Sequence, residues 1–414
     1  MSNKAIKDRK LRILLCWGYH RKGWLHAFNA LQNDFEFYYL FHLTKPENEI
    51  NYSGSSNILY WSDFSSVQDI INKIEPDKIV FMAIESMVTI ALNVVARERK
   101  IETLVVQHGM FHRYSDYLNW SVEEMKERKR TGQFNRSAVE VDRFFLLRFF
   151  LLSVSFVNPL AIIYMIKFQY LKRRYLEVEA VKNAPSKFRT ASNYVVFTKD
   201  NASIYCERDG IKEDQLIEIG NPEMDIYFNY KPKTQNKKKD YYLLIDEPWS
   251  EMKDFASPGF GISKEQTNNF YKKLADFAEK DSAKLKIKLH PYSYDDDFLL
   301  DHPNIEYVKD TDTVELIFES KGVFGFSSTL TLPAIYFNRC CLFKIWKQSS
   351  YQDDINALGL AQILDYHSFD EEDINFDSYQ KKEESMNRFV KRYFYKADGN
   401  ASRRLKEVLQ KDVV

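Results

Sequence analysis

Three short clusters in this 414-residue chain hold side chains that can do chemistry, and each follows directly on an apolar run. Lys288-Leu289-His290-Pro291 ends the alternation KLKIKLHP. The proline blocks simple continuation of a strand, so His290 is held rigidly at the strand's carboxyl end. Gly325-Phe326-Ser327-Ser328-Thr329 lies where a strand gives way to a helix. Hydroxyls there can cap the helix, and with the free backbone N–H groups they make a natural phosphate site. Gln107-His108-Gly109 again begins where an apolar run stops. Taken singly, an N-cap and two turns account for the clusters equally well. Their common place at strand ends is more informative, because ligands of open parallel sheets bind beyond the carboxyl ends of the strands.

The elements that must position these clusters form two series. Strands are predicted at Leu11–Trp17, Phe35–Phe41, Asn57–Trp61, Lys78–Ile84 and Thr103–Val106, with helices at Val67–Ile74 and Met87–Arg99. After residue 190 the alternation resumes with Tyr194–Thr198, a helix over Asn201–Asp209, and Gln215–Ile219. The polar stretch Tyr230–Asp240 is the best linker in the chain. Beyond it, strands are predicted at Tyr241–Ile245, Leu285–Leu289, Ile305–Val308, Gly322–Phe326 and Cys341–Ile345. Helices follow at Lys264–Lys280, Thr313–Glu319 and Thr329–Tyr336, and the tail Tyr379–Leu409 reads as helical with a break at Asp398-Gly399-Asn400. Strands separated by helices indicate βαβ units and parallel sheets. The expected architecture is α/β: two Rossmann-like domains facing a cleft, over residues 1–229 and 241–380, with 230–240 as linker. Residues 381–414 form C-terminal helices that can return to the first domain.

The composition bounds the function. The chain has 59 basic and 59 acidic residues, which argues against bulk nucleic-acid binding. The balance hides an asymmetry: Lys126–Arg174 holds 11 basic and 3 acidic residues, and Pro291–Glu384 holds 7 basic and 19 acidic. Only 13 residues are glycine, so phosphate binding through repeated glycine loops is disfavoured. Cys16, Cys206, Cys340 and Cys341 contain no CxxC pair, so neither a zinc site nor a disulfide framework is expected, and a reducing cytoplasmic compartment fits. Asp295-Asp296-Asp297 invites comparison with a metal-binding DxD, but acidic runs are usually solvated, and no metal is expected.

The His290-Pro291 pair, the Ser327-Ser328-Thr329 triplet, Gln107-His108-Gly109 and the turn Gly220-Asn221-Pro222-Glu223-Met224-Asp225 together resemble bacterial GT-B glycosyltransferases of surface polysaccharide synthesis. His-Pro and the serine motif are similar to those of sialyltransferases and of CDP-glycerol glycerophosphotransferases; His-Gly is similar to that of teichoic acid polymerases. The resemblance implies that His290, Pro291, Ser327, Ser328 and Thr329 hold the donor's phosphate. Lys288, on the same strand face as His290, adds charge. His108 is implied as general base, a role suited to a neutral imidazole. Glu85 is a second candidate base, against its plainer role as a glutamate at a helix N-terminus. The acidic motif with glycine of sialyltransferases has no clean counterpart here: Asp246-Glu247-Pro248 is close, but proline replaces the glycine and it lies at the start of the second half, so Glu247 is assigned to the donor nucleotide. Gln107 and the loop bearing His20, Arg21 and Lys22 are assigned to the acceptor.

The resulting expectation is a metal-independent, cofactor-free, inverting transferase. It moves a sugar from a nucleotide donor, CMP-linked by preference, to a surface polysaccharide or glycolipid. A glycerophosphotransferase and a non-catalytic assembly protein are the rivals. A helical apolar insertion is expected at about 126–175 in the first domain. Residues 149–166 carry no charge, and Asn158-Pro159 splits them into two short helices. With its basic flanks, Arg143–Arg174 suits a membrane surface. The expected location is cytoplasmic, peripheral to the inner face of the cytoplasmic membrane, and an oligomer is left open.

Overall fold

The computed structural model describes residues 9–18, 25–45, 57–111, 113–119, 122, 143–175, 177–231, 239–247, 262–290, 293, 299–309, 311–345, 349–377 and 379–411. The chain forms two compact units. One comprises Met1–Phe111, Glu140–Asp225 and Phe394–Val414, and the other His112–Val139 and Ile226–Tyr393.

The first unit is built on seven parallel strands: β1 (Leu11–Cys16), β2 (Phe35–Leu40), β3 (Ile58–Leu59), β4 (Lys78–Phe81), β5 (Glu102–Val106), β6 (Asn193–Val196) and β7 (Leu216–Glu218), in the spatial order β3-β2-β1-β4-β5-β6-β7. β3 is shorter than the expected Asn57–Trp61, because Trp61–Asp63 turns into a 3-10 helix. The central strands are buried on both faces, so they are near-continuous apolar runs. Helices Val67–Ile74 and Met87–Glu98 start at capping boxes on Ser66 and Ser86. They pack on one face of the sheet together with helices Arg143–Val154 and Leu160–Arg174. Helix Ala401–Gln410 closes the other face, its Leu405 and Leu409 buried among Phe28, Phe35 and Val80.

The Gly220–Asp225 turn makes that return of the chain terminus. Gly220 has φ +84°, and a Cβ there would lie 2.8 Å from the carbonyl oxygen of Phe394. The Asp225 carboxylate accepts from the backbone N–H groups of Ala401 (2.9 Å) and Ser402 (2.7 Å), capping the last helix from a distant part of the chain. Arg404 donates to Ile219 O at 2.6 Å.

The second unit has six parallel strands: β8 (Tyr241–Ile245), β9 (Lys284–Lys288), β10 (Ile305–Val308), β11 (Val323–Gly325), β12 (Cys340–Lys344) and β13 (Gln362–Asp365), in the order β10-β9-β8-β11-β12-β13. Its core is dense in aromatic rings, with Phe270, Phe324, Phe326, Phe343 and Tyr242 among its buried members. Residues 113–119 belong here. The Asp116 carboxylate accepts from the Ser350 hydroxyl and from its N–H at the start of helix Ser350–Leu358. Asp354 on that helix is flanked by Arg113 (3.0 Å) and Arg392 (2.6 Å).

Candidate functional sites at the strand ends

In the second unit, the register of three adjacent strands fixes where the polar groups emerge. Lys288 of β9 pairs with Ile245 of β8, and Phe324 of β11 pairs with Leu244. Lys288, Ile245 and Gly325 therefore form one line across the sheet, and His290, Glu247 and Ser327 each stand two residues beyond it. With strands spaced about 4.8 Å apart, the three backbone positions span roughly 10 Å of one sheet edge. Backbone bonds continue past the line: Asp246 N donates to Lys288 O (3.1 Å), and Ser293 N to His290 O (2.8 Å). Leu289 is fully buried while Lys288 and His290 are half-buried, as the alternation KLKIKLH requires. Pro291, and the aspartates at 295–297, lie outside the described residues.

The loop after β11 is pulled tight. A Cβ on Gly325 would lie 2.7 Å from Thr331 Cγ2, so glycine lets the loop fold back on its strand. The Thr331 hydroxyl donates to Ser328 O (2.6 Å) and shares a hydrogen bond with Tyr351 Oη (2.8 Å). This corrects the expected cap. The helix is Thr331–Phe337, starting two residues later than the sequence suggests, and its N-cap position is Leu330 with no side-chain cap. Ser328 Oγ instead accepts from Leu330 N at 3.3 Å, inside the turn. Ser327, Ser328 and Thr329 are half-buried.

Two carboxyl groups follow β8. Asp246 is 6% exposed and accepts from the Tyr271 hydroxyl at 2.9 Å. Burial, and then the neighbouring Asp246 carboxylate, pushes the Glu247 carboxyl up to about 8. At pH 7 Glu247 is therefore mostly protonated and can donate a hydrogen bond to an anion instead of repelling it.

In the first unit, His108 follows β5 by two residues, and Gly109 turns the chain with φ +67°. The imidazole is half-buried and lies edge-on to Trp17 at the end of β1, with ring centroids 5.7 Å apart. Burial lowers its pKa below the ordinary histidine value. It is therefore neutral at pH 7 and able to accept a proton.

Gln107 does not present itself to an acceptor. It is 2% exposed. Its amide N–H groups donate to Asn201 Oδ1 (2.6 Å) and Gly109 O (3.0 Å), and its Oε1 accepts from Phe197 N (2.9 Å). Asn201 completes the brace by exchanging bonds with the backbone of Phe111 (3.2 and 2.9 Å). Gln107 and Asn201 thus hold the loop that carries His108. Sequence reasoning missed Asn201, whose only signal is its place in the turn after β6, where Thr198 Oγ1 accepts from its N–H.

Glu85 is also engaged. Its carboxylate lies 3.1 Å from Arg208 Nη2, which donates to Asp209 (3.0 Å), and Asp209 is paired with Arg189 at 2.6 Å deep in the unit. The Glu85 carboxylate is thus the outer member of a chain of charged pairs that runs into the unit. His20, Arg21 and Lys22 lie outside the described residues. Among the described residues, no group of three or more His, Cys, Asp or Glu side chains is arranged to hold a metal ion. No helix among them is long and apolar enough to cross a membrane.

The alpha-2,8-polysialyltransferase family model matches residues 40–340. No curated protein sequence matches the chain. Among solved structures, the glycotransferase of kitacinnamycin aligns at TM-score 0.54 and 9% identity, over 97% of this chain and 99% of that one. The wall teichoic acid polymerase TagF soaked with CDPG aligns at 0.53 and 13%, over 97% and 89%. The calicheamicin glycosyltransferase aligns at 0.53 and 12%, over 97% and 98%. These likenesses show the fold, two parallel-sheet domains of the GT-B type.

Proposed function

The chain belongs to the alpha-2,8-polysialyltransferase family and is a glycosyltransferase, and we propose that it moves a sialic-acid-type sugar from a CMP-linked donor to a glycan or glycolipid acceptor. The observation that carries the reading is the line of His290, Glu247 and Ser327 beyond three adjacent strands. In the proposal, His290 and Ser327 hydrogen-bond the donor phosphate, with Ser328, Thr329 and Lys288 beside them, and protonated Glu247 donates to the nucleotide. His108 takes the proton of the acceptor hydroxyl, which attacks the anomeric carbon. The bond to the CMP phosphate breaks as the new bond forms, and this single displacement inverts the configuration. The departing phosphate's charge is met by hydrogen bonds aimed at where it develops, so the step asks for no metal. Added chelator is expected to leave the rate unchanged.

The test is a thermal-shift panel of CMP, CDP, UDP and GDP sugars on the wild type, His290→Ala and Ser327→Ala. The proposal expects CMP-sugars to raise Tm in the wild type and much less in either variant. If the variants keep the wild-type shift, the donor site is elsewhere. Phosphate found in the transferred unit would turn the reading to a CDP-glycerol glycerophosphotransferase, and no response to any nucleotide would favour an assembly role.

A further inference from the structure

Helices Arg143–Val154 and Leu160–Arg174 have one face used by the fold and one that is not. On the inner face Phe149, Phe150, Ala161, Met165 and Phe168 are buried at 0–4% exposure. Phe149 packs edge-on against Trp61. Ser153 Oγ accepts from Val67 N (2.9 Å), and Ser153 O accepts from Gln68 Nε2 (2.8 Å). The pair is thus bonded to its own unit and held in one orientation.

The outer face is apolar. Phe144, Phe156, Leu160, Ile163 and Ile166 are 63–97% exposed. Among the described residues, nine of the eleven exposed large hydrophobic side chains fall between Phe144 and Tyr175. Soluble surfaces rarely gather apolar area in this way without a partner. Residues 143–174 also contain six basic side chains and no acidic one.

We propose that this face docks on the surface of an anionic phospholipid bilayer. The apolar side chains enter the acyl boundary, and Arg143, Arg148, Lys167, Lys172, Arg173 and Arg174 meet the head-group phosphates. The helices are about 18 and 22 Å long at 1.5 Å per residue, against a hydrocarbon core of about 30 Å. With their inner faces bonded to the domain, they lie on the bilayer and do not cross it. Charge selects this occupant over a second copy. A two-fold contact would set a net +6 face against itself with no carboxylate within it. The inference does not depend on the identity of the donor.

The test is flotation of the full chain with phosphatidylcholine vesicles, with and without phosphatidylglycerol, at low and high salt. Three proteins are compared: the wild type, Phe156→Ser/Ile163→Ser/Ile166→Ser, and Lys172→Gln/Arg173→Gln/Arg174→Gln. The substituted side chains of the apolar variant are exposed, so its melting temperature should match the wild type. Wild-type binding is expected to rise about tenfold or more with phosphatidylglycerol and to fall with salt. The apolar variant should lose most binding on both vesicles, and the basic variant should lose the lipid preference and the salt dependence. Absence of wild-type binding overturns the proposal. So does a dimer that the apolar variant converts to monomer while vesicle binding stays unchanged. CMP-sugar thermal shifts on the same variants, without lipid, separate failure of this surface from failure of the donor reading.

Discussion

The two units expose polar residues at the same kind of place, the carboxyl ends of parallel strands, yet they use them differently. In the second unit, His290, Glu247 and Ser327 stand abreast beyond one register line. In the first, Gln107 is consumed by three hydrogen bonds and Glu85 is paired with Arg208, and the proposal therefore gives the proton acceptor's role to His108. A strand-end residue of suitable type is thus only a candidate. The bonds its polar atoms already make decide whether it binds, reacts or braces.

The largest effect should come from His108→Ala. General-base loss costs roughly 10²–10⁴ in transfer rate, and a steady-state assay should find that drop with the fold intact. In the wild type, the fall in rate on acidification should come at a lower pH than for an ordinary histidine, because burial lowers this pKa and the neutral form is the active one. Gln107→Ala comes next. It strands Phe197 N in a buried loop, at about 1–3 kcal/mol for the unsatisfied group, and removes the donor to Gly109 O. Chemical denaturation should show the loss, with a fall in kcat larger than the change in KM as His108 loses its support.

Glu247 offers a smaller, pH-dependent test. Its folded-state pKa is raised to about 8, so the donating form predominates below that pH and disappears as pH rises through it. Donor affinity by calorimetry should be flat up to neutrality and decline across pH 8, and Glu247→Gln should flatten the profile. Glu85→Gln should have the smallest effect on rate, less than about tenfold, because its carboxylate is already engaged by Arg208 and the proposal gives the base's role to His108. A drop as deep as that of His108→Ala would reverse the two assignments.

Much of the fold was legible because local signals agreed with tertiary packing. Helices Val67–Ile74, Lys264–Lys280 and Thr313–Glu319 stand where periodicity puts them, each begun by a side-chain cap from Ser66, Ser263 or Asp312. The break between the helices Arg143–Val154 and Leu160–Arg174 falls beside Asn158-Pro159, for the reason proline gives. β13 left little trace, since Gln362–Asp365 is only partly buried and its apolar pattern is weak. The strand ends bearing His290, Ser327 and His108 could be read from the chain, but their pairings could not. Register across β9, β8 and β11, and the Gln107–Asn201 brace across 94 residues, are long-range facts that no local pattern encodes.

The central claim is a division of labour, with donor binding at the second unit's register line and proton removal at His108. Calorimetric titration of CMP-sugar into His290→Ala and His108→Ala tests it most directly. The account predicts that His290→Ala weakens donor binding by about tenfold or more, as loss of a hydrogen bond to a charged phosphate does, while His108→Ala binds donor like the wild type and fails only in transfer. Equal weakening in both variants, or wild-type affinity in His290→Ala, would contradict it.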